Sequence, residues 1–206
     1  MATRARYVLV ISEDAWNLAM SSVIAVPIIP GDPQVGLFQA PVGELGYADA
    51  SIAQSFTRES LGDEFAFADT PTLATVTTAV IGFLGLDALA RMEVRRPPGR
   101  QPQRAWPRQL GTYWANLGLE ERKRVLIVTP DEHNAVATYS TTLYVTSQDK
   151  RRRRRWQVPM AASWAITGDL LLCRHSALEL RQRPSPQRAT AAEMREVAIG
   201  VLCVLT

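Results

Sequence analysis

Two stretches decide how this chain is read: Arg6-Tyr-Val-Leu-Val-Ile-Ser-Glu-Asp-Ala-Trp-Asn17 and Lys123-Arg-Val-Leu-Ile-Val-Thr-Pro-Asp-Glu-His-Asn134. Laid over each other at a shift of 117 residues, Val8, Leu9, Asp14 and Asn17 meet Val125, Leu126, Asp131 and Asn134, while Ser12 meets Thr129. The same shift, without a gap, sets Ile24–Ile29 on Thr141–Thr146, Leu61 on Leu178, and Val80 and Leu84 on Val197 and Val201. One register kept over so long a span points to a module written twice.

Each copy reads alike. A β-branched apolar run (Tyr7–Ile11; Val125–Val128) is too short for a helix and reads as a strand. An Asp-x-x-Asn turn follows, then further strands at Ser22–Ile29, Gln34–Pro41 and Ser51–Phe56, matched by Ser140–Thr146, Trp156–Ala161 and Asp169–Cys173. A helix closes each copy. Thr190-Ala-Ala-Glu193 is a capping-box pattern with Met194, Val197, Val201 and Leu205 at helical spacing behind it. Thr70-Pro71 offers an N-cap and N1 proline, although the β-branched Thr75-Val76-Thr77-Thr78 run weakens that helix. Four prolines between Arg95 and Arg108 block helix and interior strand. Residues 1–92 are therefore expected to be copy 1, 93–109 a Pro/Arg-rich linker and 110–206 copy 2, opened by a strand over Leu110–Leu117 that copy 1 either lacks or takes from elsewhere in the chain.

Charge separates the two halves. Residues 1–90 hold three arginines and ten acids, a net −7, while residues 91–206 hold 20 basic and ten acidic residues, a net +10. A basic half joined to an acidic one faces an anionic partner with one end only. With 47% hydrophobic residues among 206, the chain can bury a core. Its longest weakly polar runs, Ala74–Gly85 and Val197–Leu205, fall short of the roughly 20 residues of a membrane span. Only five apolar residues follow Arg6 before Ser12, too few for a signal-peptide core, so a cytoplasmic address without membrane contact is expected. Two cysteines and two histidines make a metal site unpromising, and no cofactor is expected.

The ordered set Gly111-Thr-Tyr-Trp114, Lys123 to Asn134, Val145-Thr146-Ser147 and Gly168-Asp169, echoed by Arg6 to Asn17 and Val26-Pro27-Ile28, resembles the toxins of the MazF/PemK (Kid) family, relatives of CcdB. The resemblance implies a mainly β, α+β chain: two SH3-like, strongly curved β-barrel modules, each ending in a helix. Family members are usually homodimers of chains about half this length, so it further implies a fused intramolecular pseudo-dimer, alone or in a higher oligomer.

The same resemblance implies metal-independent cleavage of single-stranded RNA, with an Arg and a strand-end Thr at the scissile phosphate. Mapped here, that pair is split. Copy 1 keeps Arg6 but has Ile29 for the Thr; copy 2 keeps Thr146 but has Lys123 for the Arg, with Arg122 and Arg124 able to slip into that role. Isoleucine cannot hydrogen-bond phosphate, so any surviving activity is expected in copy 2, with Lys123, Arg124, Thr146 and Arg6 as the catalytic candidates. The run Lys150, Arg151, Arg152, Arg153, Arg154, Arg155, Trp156 suits a phosphate backbone with one base on the indole. Together with Arg122 and Ser147 it forms the expected RNA-binding set; a solvated hairpin tip or a seat for an acidic antitoxin are the other readings of the same run.

His133 replaces Trp16 and reads as a packing residue; His175 has no evident nucleophile beside it, and Cys173 and Cys203 read as buried. The expected function is the toxin of a toxin–antitoxin pair, an endoribonuclease with single-stranded RNA and an acidic antitoxin as partners. The alternatives are a degenerate relative that binds RNA, antitoxin or a CcdB-type protein target without cleavage, and a general nucleic-acid-binding barrel.

Overall fold

The structure, a computed structural model, describes residues 7–33, 38–63, 66–90, 106–148, 156–160, 163–180 and 187–205. Arg6, most of the proline-rich linker, the start of the third strand expected in copy 1, and Lys150–Arg155 lie outside them.

The chain is mixed α and β, built on two curled antiparallel sheets. In chain order the elements of the first half are β1 (Tyr7–Val10), α1 (Asp14–Ala19), β2 (Ser22–Ile29), β3 (Gln39–Pro41), β4 (Tyr47–Asp49), β5 (Gln54–Thr57), α2 (Thr70–Leu84) and α3 (Leu86–Ala90). Then come β6 (Gly111–Ala115), β7 (Lys123–Ile127), α4 (Asp131–Val136), β8 (Tyr139–Thr146), β9 (Gln157–Met160), β10 (Ser163–Arg174), β11 (Gln187–Arg188) and α5 (Ala191–Leu205). The first sheet runs β1-β2-β4-β3 with β5 also on β2; the second runs β11-β6-β7-β8-β10-β9. Among the described residues no strand precedes β1 as β6 precedes β7.

The strand registers recur. β1 pairs Tyr7 with Ile28 through Val10 with Ala25, and 117 residues on β7 pairs Arg124 with Val145 through Ile127 with Thr142. Ser22–Thr57 through Ala25–Gln54 return as Tyr139–Arg174 through Thr142–Leu171, and Ile29–Tyr47 returns as Thr146–Trp164. What is two strands in the first half is one strand, β10, with a register shift between Ala165 and Leu170 in the second.

The Asp-x-x-Asn turns are whole short helices. In each, the asparagine closes the loop before it: Asn17 accepts from Ser12 Oγ at 2.6 Å and donates to its carbonyl at 2.9 Å, and Asn134 does the same with Thr129 at the same distances. The closing helices depart from the constant shift. α2 and α5 coincide at 121 residues, where buried Val76, Val80, Phe83 and Leu84 fall on buried Val197, Val201, Val204 and Leu205. The pairing of Val80 with Val197 expected from sequence is therefore corrected: the segment leading into α5 is four residues longer. Asp69, not Thr70, caps α2, accepting the Thr72 amide at 2.8 Å.

One apolar core runs through both halves, from Ile24, Val26, Val80 and Leu84 to Leu126, Leu143, Val197 and Val201. Each closing helix reaches the other half. Phe83 at the end of α2 packs edge-on to His133 of α4, ring centroids 4.8 Å apart, while Val204 at the end of α5 takes the Glu13 amide, before α1, at 2.8 Å. Trp16 is fully buried, 4.5 Å from the Trp156 ring and set on Gly168, where a Cβ would lie 1.9 Å from the indole.

Candidate nucleic-acid interface

The β6–β7–β8–β10 ladder sets the candidate site. β7 leaves the core at its first residues: Val125, Leu126 and Ile127 are fully buried, whereas Lys123 and Arg124 are half-buried. The β7–β8 pairing ends at Arg124–Val145, and Lys123 and Thr146 are the next residues on their strands, which continuing the alternation sets on one side of the sheet. Thr146 faces Trp164 on its other side, and Lys123 faces Ala115. Because directly paired residues share a face, Ala115, Lys123, Thr146 and Trp164 form one row across the sheet. This face also carries the small apolar cluster of Tyr113, Val125, Ile127 and Cys173.

The chemistry of that row is a cation beside a hydroxyl. Lys123 Nζ lies 3.3 Å from Glu121 Oε2, with side chains 40% and 81% exposed. Such a pair is solvent-screened and easily exchanged. Thr146 Oγ1 accepts the Gln148 amide at 3.1 Å through a lone pair, so its hydrogen is not used in that bond. Tyr144, two residues back and on the same face, has its phenol pushed up first by burial and then by Asp169 and Cys173; it stays a neutral O–H donor. Ser147 is exposed at the strand end.

The neighbouring arginines go elsewhere. Strand alternation sends Arg124 to the opposite face, where it pairs with Trp114 in register and sets its guanidinium 6.0 Å from the indole centroid. Arg122 reaches the same ring at 6.0 Å and is ion-paired with Glu179. The expectation that Arg122 or Arg124 can stand in for Lys123 beside Thr146 is corrected on this ground. Trp156 is corrected too: its ring packs on the core against Trp16. Arg6 and Lys150–Arg155 lie outside the described residues. In the first half, Ile29 stands opposite Tyr47 where Thr146 stands opposite Trp164.

The histidines are structural in their surroundings. His133 lies between the rings of Phe83 and Tyr139, at 4.8 and 5.4 Å, and burial lowers its pKa. His175 Nε2 is 2.8 Å from Ser140 Oγ, which also donates to Asn134 at 2.6 Å. Sequence reading missed this partner, but Ser140 is fully buried, out of a substrate's reach. Cys173 is buried with its thiol pushed up to about 11 by burial; Cys203, expected to be buried, is exposed. Among the described residues no three His, Cys, Asp or Glu side chains gather where they could hold a metal. No described helix is long and apolar enough to cross a membrane.

Tyr144 and Trp164 escaped the sequence reading. Tyr144 could have been found from the two-residue period that ties it to Thr146, whereas Trp164 is joined to Thr146 only by the register of β10 on β8.

No family profile and no curated protein matches the chain. Solved structures do. An endoribonuclease in complex with its cognate antitoxin from a mycobacterial species is 16% identical, with 46% of this chain and 90% of that chain covered and a TM-score of 0.40. The MazE–MazF complex of Deinococcus radiodurans gives 18%, 46%, 91% and 0.40 in the same order, and MazF of that organism 19%, 47%, 93% and 0.37.

Proposed function

We propose that this chain is a metal-independent endoribonuclease that cleaves single-stranded RNA at the Lys123–Thr146 row, and that it is the toxin of a toxin–antitoxin pair. The observation that supports the reading is the β7–β8 register, whose last pair, Arg124–Val145, is followed by an exposed lysine on one strand and a strand-end threonine on the other. Attack by a ribose 2′-oxygen forms a new P–O bond and breaks the bond to the 5′-oxygen, leaving a cyclic phosphate and a 5′-hydroxyl. The 2′ proton passes to water and the leaving oxygen takes one back. The pentacoordinate phosphorane between them carries extra negative charge. Lys123 Nζ and Thr146 O–H answer it with a cation and a donor in place before the reaction. A 2′-hydroxyl nucleophile restricts the activity to RNA.

On this reading residues 1–92 and 110–206 are two copies of one module fused through 93–109, with the second alone keeping the strand-end hydroxyl. The repeated strand registers support it, as do the contacts by which each closing helix reaches the other half, Phe83 to His133 and Val204 to Glu13. Fusion replaces a concentration-dependent association by an intramolecular one. The acidic partner suited to the +10 half is an antitoxin.

Incubating the purified chain with single-stranded RNA in EDTA tests the proposal. Cleavage is expected, lost by at least about a hundredfold in Thr146→Ala and Lys123→Ala, and retained in Lys123→Arg, which restores a bidentate fork. Intact RNA with the parent chain, or cleavage indifferent to Thr146, turns the reading to a non-catalytic binder; Ile29 in place of a hydroxyl already favours that outcome for the first half.

A further inference from the structure

We propose that Trp114, set between Arg122 and Arg124 on the face of the β6–β7 hairpin opposite Lys123, is a platform on which an unpaired base of single-stranded nucleic acid stacks, with the two guanidinium groups taking adjacent phosphates. This rests on the reading of the chain as a single-strand RNA binder. It adds a site that reading does not contain.

Trp114 is 41% exposed in the middle of a sheet, while its chain neighbours Tyr113 and Ala115 are 5% and 0% exposed. A tryptophan this exposed on a paired strand presents a large aromatic surface at low conformational cost. Both guanidinium carbons lie 6.0 Å from the ring centroid, the outer limit of a cation–π contact. Both lie over the ring at the edge of contact range, near enough to hold phosphates beside a stacked base and loose enough to yield to it.

The support is preorganised. Arg124 is fixed opposite Trp114 by the ladder, and Glu179 holds the other side twice: its amide donates to the Trp114 carbonyl at 2.9 Å and its carboxylate pairs with Arg122. The Arg122–Glu179 pair is exposed, 64% and 38%, so a phosphate can exchange for the carboxylate. Aromatic stacking with phosphate cations on either side fits single-stranded nucleic acid without demanding a particular base. An acidic peptide would use the arginines but gain little from the indole.

The probe is a fluorescent single-stranded oligothymidylate, which lacks the 2′-hydroxyl and so reports binding without cleavage. Trp114→Ala is expected to weaken its binding by roughly five- to 150-fold, with Trp114→Phe recovering most of the loss. The double variant Arg122→Gln, Arg124→Gln is expected to lower the slope of log affinity against log salt by about 1.4; this arm stands even if Trp114→Ala folds poorly. Equal oligothymidylate affinity in the parent and Trp114→Phe and Trp114→Ala chains, with an unchanged salt slope in the arginine variant, overturns the platform. Polyglutamate binding that depends on the arginines, with oligothymidylate binding indifferent to Trp114, overturns it in favour of an acidic peptide. Trp114-dependent oligothymidylate binding by a chain that leaves RNA intact keeps the platform and removes the endonuclease. Thr146-dependent cleavage with Trp114-independent binding does the reverse.

Discussion

Position 133 carries a histidine where the first half has Trp16, and the two side chains solve one packing problem differently. Trp16 fills its site completely; His133 is wedged between Phe83 and Tyr139 with Nε2 buried and unpartnered among the described residues. Burial lowers its pKa below the ordinary 6.5, against a smaller opposing hydrogen bond with the Tyr139 backbone. His175 is lowered in the same way, first by burial. Both groups thus bind protons more readily in the unfolded chain. Their contribution to stability is present above about pH 6.5 and is lost as pH falls from there towards the folded values. Thermal unfolding is expected to give a melting temperature flat above about pH 7.5 and falling between about pH 6.5 and 5.5, with a shallower fall in His133→Phe. A melting temperature that rises on acidification would contradict this. The packing role of His133 was legible from its alignment with a tryptophan; the partner of His175 was not, because Ser140 lies 35 residues away and only sheet pairing joins them.

Among the elements, α5 was the most legible, since its start is written in four consecutive residues. The Thr190 amide donates to Glu193 Oε2 at 2.7 Å and the Glu193 amide to Thr190 Oγ1 at 3.2 Å, the two halves of a capping box. Thr190→Ala is expected to cost about 0.5–2 kcal/mol in denaturant unfolding, with no change in the slope with denaturant. The register of α5 relative to the repeat was less legible. A helix slid by four residues keeps almost the same face, so hydrophobic periodicity fits a shift of 117 or 121. Burial of Val204 and Leu205 selects the second. Arg124 shows the same limit in a strand. Its position in β7 was readable, but adjacent strand residues point to opposite faces, so nearness to Lys123 in sequence meant separation in space.

For the whole molecule, the junction of Trp16, Gly168 and Trp156 sets how the halves hold together. The indole occupies the space over Gly168 that a Cβ would take, and β10 shifts register at that point. Ser22 and Ser55 of the first half hydrogen-bond Asp169 and Gly168 alongside, at 3.5 and 3.1 Å. Because the core is continuous across this junction, calorimetry is expected to show one unfolding transition. Trp16→Ala should lower its stability by about 3–5 kcal/mol, and Gly168→Ala should lower it as well through overpacking. Two separate transitions in the parent chain, each assignable to one half, would overturn this account of the core.

What the sequence determined alone is whatever depends on neighbours a few residues apart: the β-run and Asp-x-x-Asn units, the spacing that repeats them, the capped helices, and the placing of Lys123 and Thr146 near matching ends of β7 and β8. Tertiary structure decided which side chains share a face. It turned Arg122 and Arg124 towards Trp114, packed Trp156 edge-on against Trp16, set Trp164 and Tyr144 on the face of Thr146, and fixed the register of α5. The reason is geometric. Local contacts follow from covalent spacing, whereas a face in a curled sheet depends on the register of strands that arrive tens of residues later.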